Sequence, residues 1–308
     1  MRKVWIAAPA HELLRRGLEK EGYTLIDFIP ASAEEALAFV PGITGIITST
    51  RLSINQTLLD AATDLQWIGR LGSGMELIDV AYAAAKGIKC YSSPEGNCNA
   101  VAEQALGMLL CLSNNILKSN LQLRKGQWDR EGNRGWELQG KTVGIIGYGH
   151  TGVAFAAKLK HLGVRVMAYD KYRTGFGEAL VAECSLADIQ READVISFHL
   201  PLTDETFHYL DETFLLQCHK PVVVINTSRG NVAKTSVLKH GMESGKIVGL
   251  CLDVIENESI KTYSETEWAW LNWLLANDNI VLTPHIAGYS QEANEKMGLF
   301  LLQKILTG

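Results

Sequence analysis

The 308-residue chain is 47% hydrophobic and 20% charged, enough apolar material for two domains with sizeable cores. Its formal net charge of −5 leaves no basic surplus for a nucleic-acid backbone, and no apolar run reaches membrane-spanning length, so neither partner is expected. The six cysteines (Cys90, Cys98, Cys111, Cys184, Cys218, Cys251) contain no C-x-x-C pair and no disulfide framework, which points to reduced thiols in a cytoplasmic protein without a metal site.

In chain order, residues 4–8 read as a first strand. Arg2-Lys3 before it faintly imitates a signal peptide, but the apolar run is too short and His11-Glu12 closes it. A helix follows over 12–21 with Leu13, Leu14 and Leu18 on one face, stopped at Gly22. Ser32-x-x-Glu35 is a capping box that opens a short helix. Residues 45–48 are a strand, 55–62 a helix and 65–70 another strand, and Asp79 caps an alanine-rich helix ending at Gly87. This β-α alternation predicts a parallel sheet covered by helices. It carries no phosphate-turn glycine pattern, so this first part is expected to be the substrate domain. Residues 97–125 then read as one long buried helix, and an Arg-, Trp- and Gly-rich loop over 126–140 leads onward.

The stretch KTVGIIGYGHTG, residues 141–152, is an apolar strand running into glycines and then an amphipathic helix. That order binds a dinucleotide pyrophosphate. Gly147 permits the turn, Gly149 lets the backbone approach the phosphates, and Gly152 lets the helix lie close on the strand. His150 and Thr151 open the helix, whose free N–H groups and positive dipole end face the anion. A second strand, 164–169, ends in Asp170, where a carboxylate accepts from the adenosine ribose hydroxyls and repels a 2′-phosphate, favouring NAD over NADP. Lys171 and Arg173 lie just beyond it. Further apolar runs at 195–200, 222–225, 248–254 and 280–282 complete an expected six-stranded doubly wound sheet, and 290–306 is an amphipathic helix.

Open α/β sheets bind ligands beyond the carboxyl ends of their strands. There the chain carries Asn226-Thr227-Ser228-Arg229-Gly230, then Asp253 with Glu258 five residues on, then Thr283-Pro284-His285. The first part adds Arg70-Leu71-Gly72-Ser73-Gly74. An arginine, a carboxylate and a histidine at three successive sheet ends can converge on one crevice, although each taken singly is as readily a rim or structural residue.

GRLGSGMELID (69–79), NAVAEQALGML (99–109), VGIIGYGHTG (143–152), ADVISFHLPLTDET (193–206), INTSRG (225–230), LDVIENE (252–258) and TPHIAGYS (283–290) together resemble the successive signatures of the D-isomer-specific 2-hydroxyacid dehydrogenases. They stand in order over about two thirds of the chain, and the nearest likeness is to short phosphoglycerate dehydrogenases lacking a regulatory domain. The resemblance implies an α/β fold of two Rossmann-like domains, doubly wound parallel sheets, with the C-terminal helix returning to the first domain. Residues 97–286 would bind NAD, and 1–96 with 287–308 would form the substrate domain. It makes Arg229, Glu258 and His285 the catalytic set. His285 would take the hydroxyl proton of a 2-hydroxy acid as hydride leaves C2, and Glu258 would fix its tautomer and favour its charged form. Arg229 would clamp the substrate carboxylate in a fork that Lys could not reproduce.

The resemblance further puts Asp253 on the nicotinamide carboxamide. Thr227, Ser228, Leu200, Pro201 and Gly288 would line the cofactor site, and the Ser73–Gly74 backbone would sit at the substrate carboxylate. Arg51 and Arg130 match positions that touch a substrate phosphate, Arg130 from the partner subunit of a homodimer, whereas Ser49 stands where many relatives carry another arginine. The implied reaction interconverts 3-phosphoglycerate and 3-phosphohydroxypyruvate in serine biosynthesis. The alternatives are reduction of the erythronate-4-phosphate oxo acid, glyoxylate, hydroxypyruvate or the D-lactate couple, and a non-catalytic NAD-sensing protein. Control by serine is not expected from a chain ending at Gly308. Family members usually place a proline after Glu258; this chain has Ser259-Ile260-Lys261, then a predicted helix over 265–276 carrying Trp268, Trp270 and Trp273, expected either to pack on its domain or to shape the mouth of the site.

Overall fold

The computed structural model describes residues 2–50 and 52–308, which divide into two compact units, Met1–Asn99 with Gly288–Gly308 and Ala100–Ala287. Among the described residues of the first unit, five parallel strands form one sheet: β1 (Arg2–Ile6), β2 (Tyr23–Asp27), β3 (Gly45–Thr48), β4 (Trp67–Arg70) and β5 (Lys89–Ser92), in the order β2-β1-β3-β4-β5. Alternate side chains divide between the two faces, as a period of two requires. Trp5, Ile46 and Ile68 pack with Val40, Leu58 and Leu59 on one side. Val4, Ile6, Ile47 and Trp67 pack on the other with Leu14, Leu18 and Leu301, the last carried by the helix Gln291–Thr307. The strands β2 and β5, absent from the sequence expectation, are the two edges. Their sequences, YTLID and KCYS, mix polar and apolar residues because neither is buried on both faces.

In the second unit, seven parallel strands follow: β6 (Thr142–Ile146), β7 (Arg165–Tyr169), β8 (Val181–Glu183), β9 (Val195–Phe198), β10 (Val222–Asn226), β11 (Ile247–Leu252) and β12 (Ile280–Leu282). Their order is β12-β11-β10-β9-β6-β7-β8. The sheet therefore has seven strands where six were expected, and the addition is the three-residue edge strand β8, too short to stand out as an apolar run. The chain winds outward from β6 through β7 to β8, then crosses back to β9 on the other side of β6, which makes the β6/β9 boundary the switch point of the sheet. Every residue of β6, β9 and β10 is buried, so these strands read as continuous apolar runs.

The long helix expected over 97–125 is two helices, Pro94–Ser113 and Ile116–Arg124, bent by 61°. Asn115 between them adopts a left-handed conformation (φ 52°), which a helix cannot continue through. Among the described residues no single helix is long and apolar enough to cross a membrane, and the first of the pair buries Ala102, Ala105, Met108 and Leu109 in the second unit's core. The helix Glu265–Ala276 forms over the expected span, opened by a reciprocal Ser264–Glu267 capping box. Trp270 and Trp273 stack 5.0 Å apart against the core of the second unit, while Trp268 stays exposed, edge-on to Tyr263.

Candidate active site

The glycine turn after β6 has the form a dinucleotide needs. Gly147 sits at φ 93°, and a Cβ there would come within 2.4 Å of the His199 carbonyl oxygen. A Cβ on Gly152 would lie 2.1 Å from the Gly147 carbonyl oxygen, so this glycine is what lets the helix His150–Leu159 close onto the strand. Gly149, the N-cap, differs from both: a Cβ there would meet nothing within 4 Å. No packing demand explains that glycine, and no side chain caps this helix end, the end at which a pyrophosphate would lie. His150 and Thr151 begin the helix. The residues present fit the dinucleotide.

Asp170, at the end of β7, does more than await a ribose. Its Oδ2 accepts from the Tyr148 amide (2.8 Å), and its Oδ1 accepts from the amides of Tyr172 (2.9 Å) and Arg173 (3.0 Å). The carboxylate thus ties the glycine turn to the loop beyond β7. The two nearby cations are both engaged: Lys171 pairs with Glu205 at 2.7 Å, and the Arg173 guanidinium donates to the Tyr148 carbonyl. The Asp170 carboxylate at this strand end would repel a 2′-phosphate, which agrees with NAD as the cofactor. Leu200 reaches the same turn, 3.1 Å from where a Gly147 Cβ would be, and Pro201 follows it. His199, beside them, has its Nε2 2.9 Å from Ser197 Oγ and a buried Nδ1 without a partner; burial pushes its imidazole down to about 4.

The strands β10, β11 and β12 are adjacent and parallel, with Asn226 beside Leu252 and Leu252 beside Leu282, so their carboxyl ends are brought to one edge. Arg229, Glu258 and His285 follow these three ends. Gly230 lies so close to the β11 loop that a Cβ would be 1.9 Å from the Ile255 carbonyl oxygen, which fixes the Arg229 turn against the segment leading to Glu258. His285 Nδ1 and Glu258 Oε2 are 2.8 Å apart, with 39% and 44% of their side chains exposed. Thr227 is buried and its hydroxyl has no partner within the chain. Ser228 donates to Asn226 Oδ1 (2.8 Å) and Arg229 Nη1 to the Ser228 carbonyl (2.7 Å).

Two residues acquire roles that sequence reasoning missed. Asn226, 1% exposed, organises the whole turn: its Oδ1 accepts from Ser228 N (3.1 Å) and its Nδ2 donates to the Arg229 carbonyl (2.9 Å). The signal was a polar residue closing an otherwise apolar strand. Asp253, which the resemblance puts at the nicotinamide carboxamide, has a carboxylate 1% exposed that also serves the chain itself. It accepts from Thr283 Oγ1 (2.5 Å), Ile286 N (2.9 Å) and Ala287 N (2.8 Å), while its carbonyl accepts from His285 N (2.8 Å). His285 has φ 53°, a conformation costing on the order of 1–3 kcal/mol unless its surroundings hold it, and Asp253 grips both sides of it.

The remaining expected residues stand on other segments of the chain. Ser73 and Gly74 belong to the first unit, on a loop whose Gly72 donates to Ser93 Oγ (3.1 Å) and accepts from Ser93 N (2.8 Å). Gly288 is also in the first unit, where a Cβ would strike Asn97 Nδ2 at 2.7 Å. Arg130 is exposed on the loop after the helix Ile116–Arg124, and Arg51 lies outside the described residues.

A parallel sheet with this switch point, a glycine-turn cofactor site and an Arg, Glu and His at successive strand ends define a dinucleotide-dependent dehydrogenase fold. The profile of the D-isomer-specific 2-hydroxyacid dehydrogenase NAD-binding domain matches residues 106–287, and the chain belongs to that family. It is 31% identical to hydroxypyruvate reductase of Thermotoga maritima over 272 residues, covering 88% of this chain and 87% of the relative. It is 30% identical to D-3-phosphoglycerate dehydrogenase of Rattus norvegicus over 97% of this chain but 55% of the relative, so it spans about half that protein's length. Among solved structures, D-lactate dehydrogenase from Aquifex aeolicus, complexed with NAD and lactic acid, superposes with a TM-score of 0.85 at 25% identity, covering 99% and 94% of the two chains.

Proposed function

We propose that the chain is an NAD-dependent dehydrogenase of a small D-2-hydroxy acid built on the three-carbon hydroxypyruvate skeleton, with 3-phosphoglycerate and 3-phosphohydroxypyruvate as the first substrate pair to test. The observation that carries the reaction type is the 2.8 Å pairing of His285 with Glu258 at a strand end neighbouring that of Arg229. NAD, when bound, would accept the hydride that leaves C2 of the substrate. His285 Nδ1 faces Glu258, so in the neutral ring the proton sits on Nδ1 and Nε2 is left as the base for the substrate hydroxyl. Glu258 holds that tautomer and balances the charge once the proton arrives. Arg229 binds the substrate carboxylate.

The skeleton is favoured because hydroxypyruvate reductase and D-3-phosphoglycerate dehydrogenase, two of the similar proteins, are named for acids that share three carbons and an oxygen at C3. A phosphate on that oxygen would call on Arg51 and Arg130; unphosphorylated hydroxypyruvate or glyoxylate would not. We further assign a cytoplasmic homodimer, supported by the exposed apolar side chains Ile116, Leu117, Leu121 and Leu123 with Trp128 just beyond, a surface that water alone does not favour.

The test is NADH oxidation with 3-phosphohydroxypyruvate, hydroxypyruvate, glyoxylate, pyruvate and the oxo analogue of erythronate-4-phosphate, for the native chain and for His285→Gln. The native chain should turn over one or more of these acids. The variant should lose about 10³-fold or more in kcat while still binding NADH. Turnover surviving the substitution overturns the assignment.

A further inference from the structure

The pair at the heart of this reading is poorly held by its own chemistry. Glu258 and His285 are both exposed to solvent, where an ion pair contributes about 0–1 kcal/mol and does not fix two side chains in one geometry. Glu258 also stands six residues beyond the end of β11, with no proline after it until Pro284. Something else must keep that segment in place.

Three hydrogen bonds converge on the residues flanking Glu258. Asn257 Nδ2 donates to Glu267 Oε1 at 2.6 Å, Asn257 Oδ1 accepts from Ser259 N at 2.9 Å, and the Tyr263 hydroxyl donates to the Asn257 carbonyl. Glu267 is itself anchored, its Oε2 accepting from Ser264 N (2.8 Å) and Ser264 Oγ (2.7 Å) at the start of the tryptophan-bearing helix Glu265–Ala276. That helix is fixed in turn by Trp270 and Trp273 on the second unit's core. One residue earlier, Glu256 bonds His208 Nε2 (2.7 Å) and Thr235 N (2.6 Å), so the segment is already tied to the body of the unit before it reaches Asn257. Burial, together with the nearby Glu267 and Glu258 carboxylates, pushes the Tyr263 phenol up, so it remains a donor across the physiological range.

We propose that Asn257, Tyr263 and Glu267 form a clasp that positions Glu258 against His285, with the tryptophan-bearing helix as its anchor. The proposal rests on the Glu258–His285 reading above. These are positioning residues, and they act through Glu258 alone. Misplacing a reacting group by about 1 Å costs up to about a hundredfold in rate.

The experiment compares Asn257→Ala, the isosteric Asn257→Asp, Tyr263→Phe and Glu258→Gln, with the double variant Asn257→Asp/Glu258→Gln, in the full chain. NADH oxidation is followed with hydroxypyruvate and with 3-phosphohydroxypyruvate, and NADH binding by fluorescence. Asn257→Asp keeps the shape and the bond from Ser259 but replaces the donor facing Glu267 with a carboxylate. It and Asn257→Ala should lower kcat about ten- to a hundred-fold with NADH binding unchanged, and Tyr263→Phe should lower it less. The double variant should be no slower than Glu258→Gln alone, because a residue acting only through Glu258 has nothing left to position. Losses that multiply in the double variant, or full kcat in all three clasp variants beside a crippled Glu258→Gln, overturn the clasp and leave the catalytic pair standing. Full activity in Glu258→Gln, or a native chain silent on these two acids and on the rest of the panel above, overturns the reading beneath it and the clasp with it. Should Asn257→Ala not fold, Asn257→Asp and Tyr263→Phe decide the matter by the same criteria.

Discussion

A histidine that does no chemistry gives the sharpest test at the level of single residues. His199 is held neutral, its imidazole pushed down to about 4, whereas in the unfolded chain it titrates near 6.5. Between these values the unfolded chain binds a proton that the folded chain refuses, so this contribution to stability is full above pH 6.5 and falls as pH drops towards 4. The loss reaches up to about 3 kcal/mol. Urea midpoints at pH 7 and pH 4.5 should therefore diverge more for the native chain than for His199→Gln; equal divergence would show the ring to be solvated. Residue types at strand ends were legible in the sequence, because Arg, Glu and His stand out against apolar runs and the sheet must bring those ends together. What Asn226 and Asp253 do was not legible. Each satisfies backbone groups inside a turn, and a turn has no periodicity to announce which side chain faces inward.

Among the elements, legibility followed burial. Central strands such as β6 and β10 announced themselves because both faces are apolar, whereas β2, β5 and β8 did not, being edge strands whose side chains are mostly only partly buried or exposed. The break at Asn115 was hidden because helix-forming residues continue on either side of it. The tryptophan-bearing helix was placed correctly from its composition, yet only the structure separates its tryptophans by role. Trp270→Ala should lower unfolding stability by about 2–4 kcal/mol, since the ring packs on the core. Trp268→Phe should change it by less than about 1 kcal/mol, the side chain being 44% exposed. Chemical denaturation of both variants separates the two, and an equal loss would mean that Trp268 is buried in the working protein.

At the scale of the whole molecule, the exposed apolar side chains of the helix Ile116–Arg124 bear on assembly. If they are covered by a second copy, Leu121→Glu places a charge in a hydrophobic interface and should shift the protein towards monomer at micromolar concentration in analytical ultracentrifugation, with the fold intact by circular dichroism. An unchanged sedimentation coefficient would assign that surface to some other use.

The first unit is assembled from two stretches of chain separated by the whole of the second. Leu301, fully buried beneath β1 and β4, belongs to the later stretch. During synthesis at about 5–20 residues per second, the ribosome needs roughly 10–40 s to pass through the intervening residues, so the sheet face holding Val4, Ile6, Ile47 and Trp67 waits that long for the part of its cover that Leu301 supplies. The second unit has all its strands from one continuous stretch and faces no such wait. Nascent chains of this protein should therefore present chaperones with an apolar sheet covered on one side and only in part, by Leu14 and Leu18, on the other, until the helix Gln291–Thr307 leaves the exit tunnel.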